Sequence, residues 1–444
     1  MTAAMIGVLA LLVLAWVVTS DLLARANITG PLFFTVAGFL IGSHDWKHLT
    51  VQVDAPSVHL VAEVTLALLL FADAARVDFS RLRQDIYLPG RLLGIGLPFS
   101  VVLGSLLAAW LFDDFTWAVA GFVGATLAPT DAALSAQVIN DRRIPMRLRR
   151  ALNVESGLND GIVTPVVTFT LAVAAGQLGS GEREGFLGDG GALLELAVGL
   201  VVGLVIGLGS AKLLVFGFRR RWTSTEARGL GTLAAALGSF AVALTFSGNG
   251  FIAAFVAGLA FRAGLGGALP DTDGTDGTDD TDGTDAADDV VELPELLGEI
   301  LAFVVWFLFG AALVPIAVDN VDVPLLAYAV LSLTVVRIVP VAVSLIGKGL
   351  DGRTVLFLGW FGPRGLASVV FALLAIEELG TTGPVQPAIA AVALTVLMSV
   401  VLHGVSAGPL GGWYVRHEQA HDDSGPGPRS RRPAHRQLGR RLRP

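Results

Sequence analysis

Four closely spaced polar side chains lie in the middle of one apolar stretch, residues 153–165, which reads NVESGLNDGIVTP. They are Glu155, Ser156, Asn159 and Asp160, and the residues around them have the composition of a membrane-spanning helix. A charged side chain at the centre of such a helix costs about 2.5–3.5 kcal/mol on insertion scales. A chain keeps acids there when they pair, line water or bind an ion. These residues are therefore candidates for an intramembrane functional site, with purely structural ion pairing as the alternative.

Helical geometry divides these four side chains between two faces. At about 100° per residue, Ser156 and Asp160 lie one turn apart on one stripe, and Glu155 and Asn159 share a neighbouring stripe. Glu155 and Asp160 point about 140° apart, so we expect them to have different partners. The oxygens of Ser156 and Asp160 suit a hard cation. Glu155 instead needs a counter-charge from another helix.

The composition is that of a polytopic membrane protein. The 444 residues are 53% hydrophobic and 15% charged, their mean hydropathy is +0.69, and long apolar runs recur along the chain. The absence of cysteine excludes disulfides and thiolate metal sites. The 7 His have no metal-ligand spacing and are interpreted as packing or interfacial residues. The first apolar run has no basic residue before it and no clear cleavage site, so we interpret it as a spanning helix.

Thirteen spanning segments are predicted, because a bilayer needs about 20 apolar residues. The approximate spans are 4–22, 30–43, 57–76, 90–112, 116–140, 150–176, 191–217, 226–246, 249–266, 291–317, 322–347, 352–379 and 386–408. Arginine-rich loops follow segments three, five and seven, and they alternate with loops that lack Lys and Arg. The positive-inside rule therefore predicts a plasma or inner membrane protein with its N-terminus outside and its C-terminus in the cytoplasm.

Segments five and twelve are predicted to be broken. Pro129 in segment five removes a backbone donor, and Asp131 follows it at the expected start of a second half-helix, where the dipole favours negative charge. Segment twelve contains GPRG, which places Arg364 at the break. An ordinary proline kink is the alternative, but interruptions at corresponding places indicate an inverted-repeat transporter. We predict an all-α fold of about 13 transmembrane helices, with inverted-topology repeats at about 4–176 and 226–408 and two broken, crossing helices.

One buried cation needs an acidic partner. Arg337 lies near the middle of segment eleven, and Glu155 is the first candidate for its counter-charge. Asp73 in segment three and Glu299 in segment ten remain alternatives.

Two further segments lie outside the predicted helices of the transmembrane domain, residues 1–410. The run from Asp271 to Asp289 contains nine Asp and no basic residue, and we interpret residues 270–289 as a disordered cytoplasmic loop. This run accounts for the net charge of −8. Residues 411–444 form a short basic cytoplasmic tail. Calcium binding by the acidic run is the alternative, but the spacing of a calcium loop is absent.

The sequence resembles the monovalent cation:proton antiporter superfamily, in the branch of prokaryotic sodium/proton antiporters related to animal sodium/proton exchangers. The resemblance covers about residues 5–408. It depends on ATLAPTDAA at 125–133, ESGLNDG at 155–161, GNGFIAAFVAGLAF at 248–261, TVVRIVPV at 334–341 and GPRGLAS at 362–368.

The resemblance implies roles for the matching residues. Asp160 would bind either the cation or the proton. Asp131, Ser156 and the backbone carbonyl of Thr130 would complete a Na⁺ site with it, and Asn159 would mark a subgroup associated with electroneutral exchange.

The resemblance also implies architecture. Glu155 and Arg337 would form a structural ion pair, and Arg364 would lie where the broken helices cross. The protein would be a homodimer in the lipid membrane, with a moving transport bundle and a static dimerisation bundle. Ala132 replaces a proline that is common in relatives, which leaves the local geometry and selectivity open.

The residues and the resemblance lead to the same expected function. One carboxylate reached alternately from each side binds a cation or a proton but not both, and this competition couples the two fluxes. We expect a secondary antiporter that exchanges Na⁺, and also Li⁺, for H⁺ by alternating access, electroneutrally. A K⁺/H⁺ antiporter is the first alternative, and a cation channel or proton-coupled solute carrier is the second. No enzymatic activity, cofactor or nucleic-acid partner is expected.

Overall fold

The computed structural model describes residues 3–42, 55–77, 86–178, 191–266 and 286–424, and every regular element in these ranges is a helix. The helices are α1 (Ala3–Arg25), α2 (Gly30–Gly42), α3 (Pro56–Ala75), α4 (Tyr87–Leu111), α5 (Trp117–Thr126), α6 (Ala136–Ile139), α7 (Met146–Leu178), α8 (Gly191–Arg219), α9 (Thr225–Thr245), α10 (Gly250–Leu265), α11 (Ala286–Leu308), α12 (Val314–Asp319), α13 (Val323–Leu333), α14 (Val335–Ser344), α15 (Gly352–Trp360), α16 (Leu366–Leu379) and α17 (Val385–Ser424).

The prediction of an all-α polytopic fold is confirmed. Nine helical stretches in the described ranges are long and apolar enough to span a membrane, and α2, α5 and α10 are shorter apolar helices. Segment five is divided into α5 and α6, and segment twelve into α15 and α16. Helix α7 begins before its predicted apolar span and α17 ends well beyond its own, because helical hydrogen bonding continues into the polar ends where the apolar run stops.

Parts of two predicted segments lie outside the described ranges. Most of the acidic run, residues 271–285, and the basic tail from residue 425 onward are among them. Helix α11 begins at Ala286, so the last two aspartates of the run belong to a helix and not to the predicted disordered loop.

Two π-helical turns interrupt long helices, and each precedes a proline. Leu92–Gly96 in α4 lies just before Pro98, and Phe309–Leu313, which joins α11 to α12, lies just before Pro315. A proline inside a helix has no N–H and crowds the carbonyl one turn back. A wider turn before the proline relieves that clash while the helix continues.

The helices form two bundles that meet along α3, α7, α10 and α16, and also where α12 packs against α17. The first contains α1–α3 and α8–α12, in which α3 packs against α10 and α11. The second contains α4–α7 and α13–α17, in which α5 packs against α4 and α7. The polar stretch of α7 therefore lies where the second bundle faces the first.

A glycine stripe on α8 brings the first bundle together. At Gly199, Gly203 and Gly207 an added Cβ would collide with successive backbone carbonyl oxygens of the chain at α10, those of Asn249, Ala253 and Ala257. Within a membrane, small residues of this spacing let two helix backbones approach closely, which strengthens their van der Waals packing. The first bundle thus provides a tightly packed surface against α7.

Candidate functional site

The two interrupted segments cross each other at their unwound parts. Helix α5 ends at Thr126 and α6 begins only at Ala136, while α15 ends at Trp360 and α16 begins at Leu366. Pro129 lies in the first gap and Pro363 in the second. Unwound backbone at membrane depth must find hydrogen-bond partners within the protein or in water, and these two stretches bond to each other.

Segment twelve supplies donors for carbonyls that the break in segment five leaves without helical partners. Arg364, which is 0% exposed, donates from Nη1 to the backbone oxygens of Ala128 at 2.7 Å and Pro129 at 3.1 Å. The hydroxyl of Ser368 donates to the oxygen of Thr126 at 2.7 Å. The structure therefore places Arg364 at the crossing, where its charge faces the carbonyl ends of the broken helix.

Asp131 connects the two breaks in both directions. Its backbone N–H donates to Pro363 O at 2.9 Å, and its Oδ2 accepts from the N–H of Leu366 at 3.0 Å. The sequence places Asp131 at the start of its own half-helix, but the structure shows it at the N-terminus of α16, because α6 begins five residues later. The carboxylate caps the positive end of a helix from the other broken segment.

Gly365 makes this approach possible. A Cβ at position 365 would overlap the carboxyl group of Asp131. Any other residue here would displace the aspartate, so the glycine in GPRG is required by packing and not only by the break in the helix.

Side chains of α7 hold Thr130 from the opposite side. The hydroxyls of Thr130 and Ser156 are 3.1 Å apart, and the side-chain amide of Asn159 donates to Thr130 Oγ1 at 2.7 Å. All three residues are buried. The resemblance implies a role for the backbone carbonyl of Thr130, and the structure shows in addition that its hydroxyl ties the unwound stretch to α7.

Asp160 lies one turn further along α7 from Ser156. It is half-buried, and its backbone oxygen accepts from the hydroxyl of Thr164 at 2.6 Å. The charged groups that act on its carboxylate are Asp131 and Asp73, both acidic. A carboxylate whose charged neighbours are both acidic can take up a proton or a small cation, and either would relieve the repulsion.

Asp73 is also an electrostatic neighbour of Asp160, although the sequence indicates it only as an alternative partner for Arg337. Its position on α3 faces α7, since a Cβ added at Gly157 would lie 3.7 Å from the Asp73 Cβ. Its electrostatic neighbours include Asp131, Arg76 and Glu299. The available signal was a carboxylate inside an apolar run, which is costly unless it has a function.

Glu155 and Arg337 form a two-pronged ion pair between α7 and α14. Arg337 Nη1 and Nη2 donate to Glu155 Oε1 and Oε2 at 2.5 and 2.9 Å, and both residues are 2% exposed. The pair lies on a different face of α7 from Asp160. The two alternative partners for Arg337, Asp73 and Glu299, lie instead near another ion pair, which joins Arg76, the residue after α3, to Glu295 on α11.

Comparison with solved structures shows the fold. The sodium proton antiporter MjNhaP1 of Methanocaldococcus jannaschii, in a structure at pH 8, superposes with a TM-score of 0.69 at 19% sequence identity. The match covers 93% of this chain and 99% of that one. At this identity the similarity establishes the helical architecture alone.

Several curated proteins are similar over most of the chain. The K⁺/H⁺ antiporter NhaP of Alkalimonas amylolytica is 25% identical over 416 residues, which are 93% of this chain and 67% of that protein. The Na⁺/H⁺ antiporter NhaP of Pseudomonas aeruginosa is 29% identical over 362 residues, or 78% of each chain. The K⁺/H⁺ antiporter NhaP2 of Shewanella oneidensis is 26% identical, and this chain spans 59% of its length.

The family comparison extends across both bundles. The pattern of the family described as sodium/hydrogen exchanger, transmembrane, matches residues 8–413. That range contains α7, both interrupted segments and every residue of the crossing. This chain belongs to the transmembrane sodium/hydrogen exchanger family.

Proposed function

We propose that this chain is a secondary active antiporter that exchanges a monovalent cation for protons by alternating access. The observation that supports it is that Asp160 has Asp131 and Asp73 as its charged neighbours, on the helix whose Ser156 and Asn159 contact Thr130 in the unwound part of segment five. Burying this site with its carboxylates charged and with no bound cation or proton would cost a large free energy. The site therefore crosses the membrane with either a cation or a proton, and this requirement couples the two fluxes.

Each residue has a separate role in this proposal. Asp160 alternates between its protonated and cation-bound forms, and Asp131, Ser156 and Thr130 complete the oxygen ligands of the cation. Asn159 holds Thr130 in place through its amide. Ion transport of this kind needs no cofactor and no enzymatic step.

Na⁺ is the proposed cation, with Li⁺ as a second substrate. The motif resemblance and the name of the Pseudomonas relative favour Na⁺, whereas the names of the Alkalimonas and Shewanella relatives favour K⁺. A K⁺/H⁺ antiporter with the same residues is therefore the second candidate.

The test is proton flux in proteoliposomes that carry an acid-inside pH gradient, reported by a pH-sensitive dye. Adding Na⁺ or Li⁺ outside should collapse the gradient saturably, while K⁺ at the same concentration should have little effect. A response to K⁺ alone would establish the second candidate. Cation flux without a matching counterflow of protons would contradict antiport and indicate a channel.

Exchange should be electroneutral. One cation exchanged for one proton moves no net charge, whereas each uncompensated charge would cost or release about 2.3 kcal/mol per 100 mV. Collapsing the membrane potential with the permeant anion thiocyanate should therefore leave the initial exchange rate unchanged. A rate that rises on collapse would show that net charge moves in each cycle.

We also propose a homodimer in the cell membrane, with the N-terminus outside and the C-terminus in the cytoplasm. The dimer is supported by the family resemblance, and the orientation by the arginines that flank the start of α7 and the end of α8. Cross-linking in membranes and reporter fusions at the two ends would test these two statements.

The acidic segment should be dispensable for transport. Deleting residues 271–285, which precede α11, should leave the KM for the cation and the maximal rate close to wild type, because the proposed ligands of the cation all lie in segment five and α7. The measurement is the dye assay at matched protein density. Loss of most activity in a well-folded deletion variant would show that the segment senses or gates the ion path.

A further inference from the structure

His403 is a buried titratable residue that the proposed transport chemistry does not use. It lies on α17 and is 1% exposed. A buried imidazole in a membrane helix is costly unless its nitrogens are satisfied. Its partners show which part of the protein it holds.

The Nε2 atom of His403 faces the end of the first half of the broken segment twelve. It lies 2.9 Å from the backbone oxygen of Trp360, the last residue of α15. The two rings also pack together, with their centroids 5.0 Å apart. This carbonyl oxygen already accepts the backbone N–H of Gly362 at 2.8 Å, and a proton on Nε2 gives its second lone pair a donor.

The Nδ1 atom faces Ser399, one turn back on the same helix. It is 3.3 Å from the Ser399 hydroxyl and 2.9 Å from the Ser399 backbone oxygen. The same hydroxyl accepts the backbone N–H of Arg364 at 2.7 Å, so its own proton is available to Nδ1. A neutral ring has one N–H, and when Nε2 donates it to Trp360 O, Nδ1 accepts from the Ser399 hydroxyl and not from the nearby carbonyl. A second proton on Nδ1 could reach Ser399 O, but it would create a buried cation that buried Arg364 and Arg337 repel.

The hydrogen bonds of His403 and Ser399 therefore reach both sides of the loop at residues 361–365. Trp360 precedes this loop and Arg364 lies within it. Arg364 in turn binds the carbonyls of segment five, and the residues beside it, Pro363 and Leu366, are the backbone partners of Asp131.

We propose that His403, neutral and protonated on Nε2, is a positioning residue that works through Ser399. Together they hold the loop at residues 361–365 against α17, so that Arg364 and Leu366 keep Asp131 at the crossing. The expected change in cation affinity rests on the antiport function proposed above, whereas the expected loosening of the loop does not.

The experiment compares His403→Phe, His403→Gln and Ser399→Ala with wild type in detergent and in proteoliposomes. Hydrogen–deuterium exchange of peptides that cover residues 361–366 and 127–135 reports the loop directly. The KM and maximal rate of Na⁺-driven or K⁺-driven proton flux report the site. His417→Gln is the matched control, since Nδ1 of His417 on the same helix lies at the same 2.9 Å from the carbonyl oxygen one turn back, that of Trp413, and no contact joins His417 to the loop at residues 361–365 among the described residues.

We expect His403→Phe and Ser399→Ala to speed amide exchange in both peptides by about tenfold, the effect of losing one buried hydrogen bond. The KM should rise, by less than the exchange rate does, because the apparent affinity falls only in proportion to the fraction of molecules that has the site assembled. The maximal rate should change less than the KM. Combining Ser399→Ala with His403→Phe should add little, since both act through one chain of bonds. His403→Gln keeps a donor towards Trp360 and should recover part of the loss.

Unchanged exchange in both peptides for Ser399→Ala, the mildest variant, would overturn the proposal. Equal effects from His417→Gln would also overturn it, because they would show general loosening of α17. If the wild-type protein moves neither cation, the antiport proposal fails, and the exchange measurement still decides whether His403 positions the loop.

Discussion

Replacing Asp160 with Asn should reduce cation/proton exchange to the level of empty vesicles while the protein remains folded and inserted. The amide has nearly the same shape as the carboxylate, so the packing of α7 is preserved. It cannot release a proton or offer a negative charge to a cation, so neither half of the exchange cycle can proceed. The measurement is dye-reported proton flux, with melting temperature in detergent as the check on folding.

Asp141→Asn is the matched control for that substitution. Asp141 accepts from the side chain of Arg143 in the connection before α7, remote from the crossing. The same chemical change there should leave exchange near wild type. If Asp160→Asn exchanged cations at a rate close to wild type, the assignment of Asp160 as the alternating carboxylate would be wrong, and Asp131 or Asp73 would become the candidate.

The second large effect concerns stability. Glu155→Gln and Arg337→Gln should each destabilise the protein by about 3–5 kcal/mol, because each leaves an unpaired buried charge. The double variant removes both charges, so it should be more stable than the sum of the two losses predicts. The measurement is a double-mutant cycle on thermal unfolding in detergent, with transport measured on the folded fraction.

The exposed pair of Asp141 and Arg143 is the control for this cycle. Its arginine is 66% exposed at the side chain, and surface pairs contribute little to stability. The same neutral substitutions there should leave the melting temperature almost unchanged. Strictly additive losses at Glu155 and Arg337 would mean that the two charges are not energetic partners in the membrane.

These two predictions assign different roles to acids only five residues apart. Glu155 faces α14 and has its charge matched by two nitrogens of one guanidinium. Asp160 faces the crossing, and its charged neighbours repel it. The rotation of α7 between the two positions separates a structural charge from one that remains available to an ion.

The sequence also predicted why the two segments are unwound, but not which groups form hydrogen bonds with the unwound backbone. Pro129 and the GPRG motif exclude a continuous helix in their segments, and that inference needs no neighbouring residues. That Asp131 caps α16 depends on where α6 begins and on how the two breaks cross. Both are decided by contacts between residues more than 230 positions apart.

Asp73 is a residue that the sequence made visible but whose contacts it could not predict. It was visible as a carboxylate in an apolar run, but its role could not be assigned because local pattern does not show which helix it faces. Packing of α3 against α7 brings Asp73 near Gly157 and Asp160. Arg337 pairs instead with Glu155, one of the three acids that the sequence left open.

The sequence by itself determined the membrane class, the succession of spans, the two interruptions and the separate faces of α7, because hydropathy, proline chemistry and helical rotation act within one segment. Only the tertiary structure decided which groups form hydrogen bonds with each other across the crossing. Arg364 with the carbonyls of segment five, Asp131 with α16, and His403 with both sides of the loop at 361–365 are pairings between distant segments. Their physical cause is the need to satisfy every exposed backbone group inside the membrane.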